Sequence, residues 1–213
     1  MPDDEEPRPG RRGLSARGAR RRARILDAAL DLVARAGAGE LSMRAVADAA
    51  GVPLGSLTYY FASKEDLIEH ALERAGAADA EWVEAVLAAS PPRTVRQASR
   101  LIAGLVAEAA GPRRAGTVAR YELWLQLSRH PRLRHVAARQ RAALDELGRR
   151  LLAELRAPDP AAAAPLLTAA VDGLALRCVV EGGPSRRRLE EEVAALLAAA
   201  LSIAGDARPG LSA

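Results

Sequence analysis

The sequence predicts an all-α protein of about nine helices: an N-terminal helix-turn-helix module of three, then a larger C-terminal helical domain of six. Three observations carry the fold class. Ala and Leu dominate, apolar residues reach 49 % and aromatics only 3 %. Ala and Leu are strong helix formers, and few β-branched or aromatic residues remain to build strands. Apolar residues recur at helical spacing, and Gly and Pro cut the chain into helix-length pieces. A β-sandwich, a barrel and a disordered chain are all excluded by this composition.

The elements follow in order. A helix is predicted from about Arg17 to Arg35, with Ile25, Ala29 and Val33 on one face and Leu26 and Leu30 beside it. Gly37 and Gly39 stop it. Ser42 is a good N-cap for a short helix over Met43 to Ala50, which Gly51 ends. Pro53 suits the start of a third helix reaching Phe61. Ser63 caps the next, with Asp66 near its positive end. Longer helices are predicted over about Lys64–Ala89, Arg93–Ala110, Ala115–Ser128, Pro131–Arg156, Ala161–Glu181 and Ser185–Ile203. Residues 1–16, with four acids and no periodicity, read as a disordered arm, and residues 205–213 as a flexible tail. A change in composition near residue 65 divides the N-terminal helical module (17–64) from the larger domain (65–204).

Charge adds a second layer. Of 31 basic residues only Lys64 is a lysine, and the formal net charge is +4. A genome bias towards arginine codons accounts for most of this excess. One block stands out: Arg8, Arg11, Arg12, Arg17, Arg20, Arg21, Arg22 and Arg24 occur with no acid between positions 7 and 26. Such a block either solvates a tail and helix start or grips phosphates. The single Cys178 leaves no disulfide framework and no cysteine-based zinc site. His70, His130 and His135 have no metal-binding or triad spacing, so no metal or cofactor is expected. No apolar run is read as approaching the roughly 20 residues that span a bilayer, and no signal peptide is read at the start. The expected location is the cytoplasm, on the nucleoid.

The most informative stretch is LSMRAVADAAGVPLGSLTYYFASKEDL, residues 41–67. Two short helices meeting at a tight turn need a small residue where they cross, and Ala47 supplies it. Four residues on, the turn needs a left-handed backbone, and Gly51 adopts it at no steric cost. Val46, Ala50, Val52 and Leu57 are apolar where the pair must be buried. The second helix then enters the major groove with its N-terminal half. It carries Pro53, Leu54, Gly55, Ser56, Thr58, Tyr59 and Tyr60, while Leu57 and Phe61 look inward. Ser56, Thr58 and Tyr59 are placed to meet phosphates or base edges. Leu54 and the Thr58 methyl suit thymine methyls. Tyr60 and Lys64 sit where phosphate contacts fix docking. Ser42, Met43 and Arg44 open the first helix, and Arg44 is the candidate to reach a guanine or a phosphate. For Tyr59 and Tyr60 the competing role is core packing.

Residues 20–67 resemble the DNA-binding domain of the tetracycline-repressor (TetR) family of bacterial regulators. The matching segments are RILDAALDLVARAG, LSMRAVADAAGV and GSLTYYFASKEDL. The resemblance implies an Ω-shaped homodimer with one recognition helix per subunit, acting as a repressor that a small molecule releases from DNA. Carried over by position, Ser42, Arg44, Leu54 to Ser56 and Thr58 to Tyr60 match DNA contacts, and Lys64 matches the phosphate-gripping lysine. Thr58 stands where members often carry tyrosine, and Leu54 where many place a polar base-reader.

The C-terminal half offers two further expectations. Leu167, Val171, Leu174 and Cys178 recur at helical spacing in the eighth helix, where Ala169, Ala170 and Gly173 are small enough for close approach, and Leu189, Val193, Leu196, Ala200 and Leu201 recur in the ninth. Two such helices per subunit build a four-helix dimer interface, unless these faces pack within one subunit. A two-fold dimer predicts a palindromic operator with half-sites about 34–36 Å apart. By family analogy the pocket is expected among Trp82, Leu105, Tyr121, Glu122, Trp124, Leu125, Arg177 and Cys178, with walls suited to a partly hydrophobic effector. Plain core packing is the competing role for Tyr121, Trp124 and Leu125. Gly104, costly inside a helix, makes room for something. The alternatives are a regulator whose second domain binds a protein, and a small helical enzyme. A closed cavity of roughly 300 Å³ favours a ligand, and a solid core favours a protein partner.

Overall fold

The computed structural model describes residues 16–128 and 130–203. Among them are nine α-helices: α1 (Ala16–Ala36), α2 (Met43–Ala50), α3 (Leu54–Tyr60), α4 (Lys64–Ala89), α5 (Val95–Ala110), α6 (Arg114–Leu127), α7 (Arg134–Glu154), α8 (Pro160–Glu181) and α9 (Arg186–Leu201). Single 3-10 turns at Ala38–Glu40 and Pro131–Leu133 complete the described elements. The arm expected over 1–16 lies, except for Ala16, outside the described residues, with Arg8, Arg11 and Arg12. The tail over 205–213 lies outside them too.

Helix starts are set by side chains that satisfy otherwise unpaired backbone N–H groups. The Ser42 hydroxyl accepts from Ala45 N at 3.1 Å, and Ser63 accepts from Asp66 N at 3.1 Å. Asp66 returns the bond by accepting from Ala62 N at 2.8 Å. The fifth helix begins two residues later than the sequence suggests, because Thr94 and Gln97 form a capping box. Thr94 Oγ1 accepts from Gln97 N at 3.2 Å, and Gln97 Oε1 accepts from Arg93 N at 2.8 Å. The stretch expected as one helix from Pro131 divides into the 3-10 turn and α7.

Two hydrophobic cores organise the chain. The first joins α1, α2 and α3 to the start of α4 and the inner face of α6, through Ile25, Val33, Val46, Leu57, Phe61, Leu67, Leu72, Leu123 and Leu127. It therefore continues past residue 64 into α4 and α6. The second joins α5, α8, α9 and the end of α7 through Ile102, Val106, Leu152, Leu167, Val193 and Leu197. Helix α8 is long and apolar enough, by length and composition, to cross a bilayer. This corrects the expectation that no run approaches that length. Here α8 packs against α5, α7 and α9.

Much of the expected dimer stripe packs within the single chain. Leu167, Leu189, Val193 and Ala200 are buried within the single chain, and Val171, Leu174 and Leu196 pack against the same core. The face of α8 left open carries Leu166, Leu176 and Val180 together with Ala169 and Gly173, two of the small residues expected there, at three- and four-residue steps. Because α8 is apolar on nearly every side, periodicity alone does not separate its two faces.

Candidate functional site

The helix-turn-helix is built around Gly51, whose φ of +63° is the left-handed turn between α2 and α3. Val52 N donates to Ala47 O at 3.0 Å across this turn, and Ser56 N donates to Pro53 O at 2.9 Å as α3 begins. Val46, Ala47, Ala50, Leu57 and Phe61 are buried beneath. The outward face of α3 is left with Leu54, Gly55, Thr58 and Tyr59 exposed, and Ser56 and Tyr60 partly so. Tyr59 is 76 % exposed, which excludes the core-packing role for it. Its ring meets Tyr60 edge-on at 5.1 Å. Tyr60 is partly buried and packs against the first core, so the core-packing role applies to it. The Thr58 hydroxyl donates to Gly55 O at 3.2 Å. Ser42, Arg44 and Pro53 are exposed, Lys64 is half-buried, and Met43 packs partly against the core.

Two arginines of the acid-free block hold this module together, a role the sequence reading did not identify. Arg24 Nη2 donates to Ala50 O at 3.3 Å, fastening α1 to the end of α2. The Arg22 guanidinium lies 5.1 Å from the centre of the Phe61 ring. Arg17, Arg20 and Arg21 are exposed.

In the other half, α4, α5, α6, α7 and α8 surround a cavity of about 140 Å³. Val83, Leu101, Leu105, Val106, Leu147, Leu151, Leu167 and Val171 give it apolar walls. Trp82 and Leu105, both expected at a pocket, line it. The other six expected residues lie elsewhere. Tyr121 donates to Asp172 O at 3.1 Å, and burial with the Asp172 charge pushes its phenol pKa up. Trp124 Nε1 donates to Gln140 Oε1 at 2.7 Å. Leu125 is 71 % exposed. Arg177 pairs with Glu192 of α9. Cys178 is buried in the second core, and burial pushes its thiol pKa up. Glu122 faces the first domain and accepts from Ala38 N, just beyond the end of α1. Gly104 does make room, for a side chain of its own protein. A Cβ there would lie 3.3 Å from Arg186 Nη2, which donates to Arg100 O at 2.9 Å.

One end of the cavity is charged. Arg120 of α6, only 7 % exposed, lines it with Asp79 and Asp172. Its Nε lies 3.0 Å from Asp79 Oδ2 and its Nη2 3.7 Å from Asp172 Oδ1. Arg113 reaches Asp79 at 3.4 Å and Arg141 reaches Asp172 at 2.8 Å. Sequence reasoning missed Arg120, although it falls on the same helical stripe as the buried Thr117, Leu123 and Leu127. Its partners come from α4 and α8, distant in sequence. Thus α6 touches the cavity through Arg120 and the DNA-binding module through Glu122, two positions along. A second groove, of about 650 Å³ between α1 and α4, has charged walls that include the Arg74–Asp27 pair at 2.6 Å.

Known proteins resemble the chain along most of its length. Residues 25–71 match the model of bacterial regulatory proteins of the tetR family, and residues 93–202 match the tetracyclin repressor-like C-terminal domain. The HTH-type transcriptional repressor KstR of Rhodococcus jostii (strain RHA1) is 50 % identical over 54 residues, 25 % of this chain and 26 % of that protein. The chain thus matches about a quarter of that curated relative's length. The transcriptional regulator SCO7518 from Streptomyces coelicolor A3(2) superimposes with a TM-score of 0.70 at 31 % identity, covering 84 % of this chain and 98 % of that one. The multidrug binding protein EbrR complexed with ethidium gives 0.66 at 36 % identity, covering 83 % and 98 %. With both halves matched and an outward-facing recognition helix in place, the chain belongs to the tetracycline-repressor family of bacterial transcriptional regulators.

Proposed function

We propose that the protein is a homodimeric repressor that binds a palindromic operator and leaves it when a small molecule fills the cavity. The observation that carries this reading is the outward face of α3. Leu54, Thr58 and Tyr59 stand in solvent on a helix seated by fully buried Leu57 and Phe61. A side chain exposed to this degree on a rigid seat suits contact with a groove. The open face of α8 suits the second subunit. Leu166, Leu176 and Val180 are three of the six large apolar residues exposed among the described ones, and Val180 is 74 % exposed. Removing Leu and Val surface of this kind from water is favourable by about 25 cal/mol per Å².

Release follows from differential affinity: a ligand that prefers one arrangement of α6 shifts the dimer towards it. The apolar hollow among α4 to α8 is neither the solid core that a protein partner favours nor the large closed cavity of a drug-sized ligand. Its 140 Å³ falls short of the roughly 300 Å³ of a drug-sized site, so the ligand is small or the walls move. The complex of EbrR with ethidium supports the same reading.

Gel-shift titration on the palindrome beside the protein's own gene tests the docking. Tyr59→Ala and Arg44→Ala should each weaken binding about tenfold, in line with 1–3 kcal/mol per lost base contact. Unchanged affinity in both variants would reject this docking face.

A further inference from the structure

We propose that an arginine stripe on α1, formed by Arg17, Arg20 and Arg21, grips DNA phosphates beside the groove that α3 enters. The inference rests on the DNA-binding reading above and extends its contact surface to a helix outside the helix-turn-helix. The three side chains are exposed and have no hydrogen-bond, ion-pair or ring partner among the described residues. A second arginine triplet sets the contrast. In α9, Arg186, Arg187 and Arg188 are followed at four residues by Glu190, Glu191 and Glu192, and the three pairs form at 3.1, 2.9 and 3.3 Å. In α1, Arg20, Arg21 and Arg22 are followed at four residues by Arg24, Ile25 and Leu26. Arg17, Arg20, Arg21 and Arg24 thus stand three and four residues apart, and like charges at that spacing repel. They also crowd the positive end of α1, whose first turn holds no acid. Both effects disfavour the helix. A row of phosphates relieves both, because it supplies the counter-charges that α9 carries in its own sequence.

The stripe is fixed next to the docking face. Its last member, Arg24, donates to Ala50 O at 3.3 Å, beside the Gly51 turn that leads into α3. Arg22, the neighbour of Arg21, lies over Phe61 at the end of α3, and the Phe61 ring meets His70 of α4 at 5.7 Å. Further along, Asp27 of α1 pairs with Arg74 of α4 at 2.6 Å. The two helices therefore run side by side in the same direction. Arg17 precedes Asp27 by as many residues as Lys64 precedes Arg74. Both helices rise equally per residue, so Arg17 is about level with Lys64, which the docking reading sets on a phosphate. The stripe and Lys64 then form one continuous row of cations along the edge of the module.

Binding of the full-length protein to a duplex of random sequence, measured across a range of salt, tests the stripe without an operator. Arg17→Gln, Arg20→Gln and Arg21→Gln, combined, remove the charges and keep good helix formers. The slope of log affinity against log salt should become shallower by roughly 2–3, close to one per lost phosphate contact. Arg96→Gln with Arg187→Gln, exposed positions of the other half, should leave the slope as in wild type. Melting without DNA should show the triple variant at least as stable as wild type, since its like-charge repulsion is relieved. An unchanged slope in the triple variant, or an equal change in the Arg96 and Arg187 variant, would overturn the assignment. So would a clear loss of melting temperature in the triple variant, which would give the arginines to the fold instead. None of these results touches the operator reading, which stands or falls on Tyr59→Ala and Arg44→Ala at the palindrome. Failure there, with the slope change still seen on the random duplex, would remove the sequence-specific docking and leave the stripe.

Discussion

The DNA-binding module and the cavity-bearing half are built from similar Ala- and Leu-rich helices, yet they use their interiors in opposite ways. Around α3, Ile25, Leu41, Val46, Leu57 and Phe61 are sealed from solvent and pack directly on one another. Among α4 to α8, the walls stand apart around 140 Å³ and a charged arginine is buried at one end. A filled core tolerates little change in shape, because close-packed interiors transmit strain rather than absorb it. A core with free space and an incompletely hydrogen-bonded ion network has alternative arrangements close in energy. The first half thus gives the recognition helix a rigid seat, and under the proposed function the second is where a ligand would bias the structure. Helix α6 belongs to both, with Leu123 and Leu127 in the first core and Thr117 and Arg120 at the cavity.

Substitutions probe this contrast. The largest effect is expected from Phe61→Ala, which empties the sealed core and should cost about 3–5 kcal/mol in denaturant unfolding, with operator binding lost as α3 loses its seat. A cost below about 1 kcal/mol would mean that the first core is as loose as the second. Glu122→Ala comes next. It removes the acceptor for Ala38 N and should cost about 1–3 kcal/mol, while weakening the dependence of operator affinity on ligand. Ligand response equal to wild type would place the coupling elsewhere than at this contact. The smallest change is expected from Gly104→Ala in α5. Helix propensity favours alanine by about 1 kcal/mol, and the group in the way is the flexible end of Arg186. Net stability should therefore be unchanged or slightly raised, and a large loss would show that the second half is packed as rigidly as the first.

The same contrast explains what could be read from the chain. The module was legible because its demands are local: Ser42 and Ser63 as caps, Gly51 in the turn, and Leu57 and Phe61 four residues apart on one face. Helix ends elsewhere were marked by Pro and Gly, while the Thr94–Gln97 box moved the start of α5 and a 3-10 turn moved that of α7. The cavity was not legible, because its polar end is assembled from α4, α6 and α8. One buried arginine among thirty gave little warning in an arginine-rich composition. Tyr121, Glu122, Trp124 and Leu125 looked like one wall because they are near in sequence. At about 100° per residue they point to Asp172, to Ala38, to Gln140 and to solvent. On α8, an apolar surface on nearly every side hid which face packs inward.

The most direct test of the account is selection of bound duplexes from a random DNA library by the purified full-length protein. Two α3 helices related by a two-fold axis should enrich a palindrome whose half-site centres lie about 34–36 Å apart or slightly more, with bound protein at two chains or a multiple of two per site. Enrichment of a single half-site bound by one chain, or no sequence enrichment at all, would contradict it.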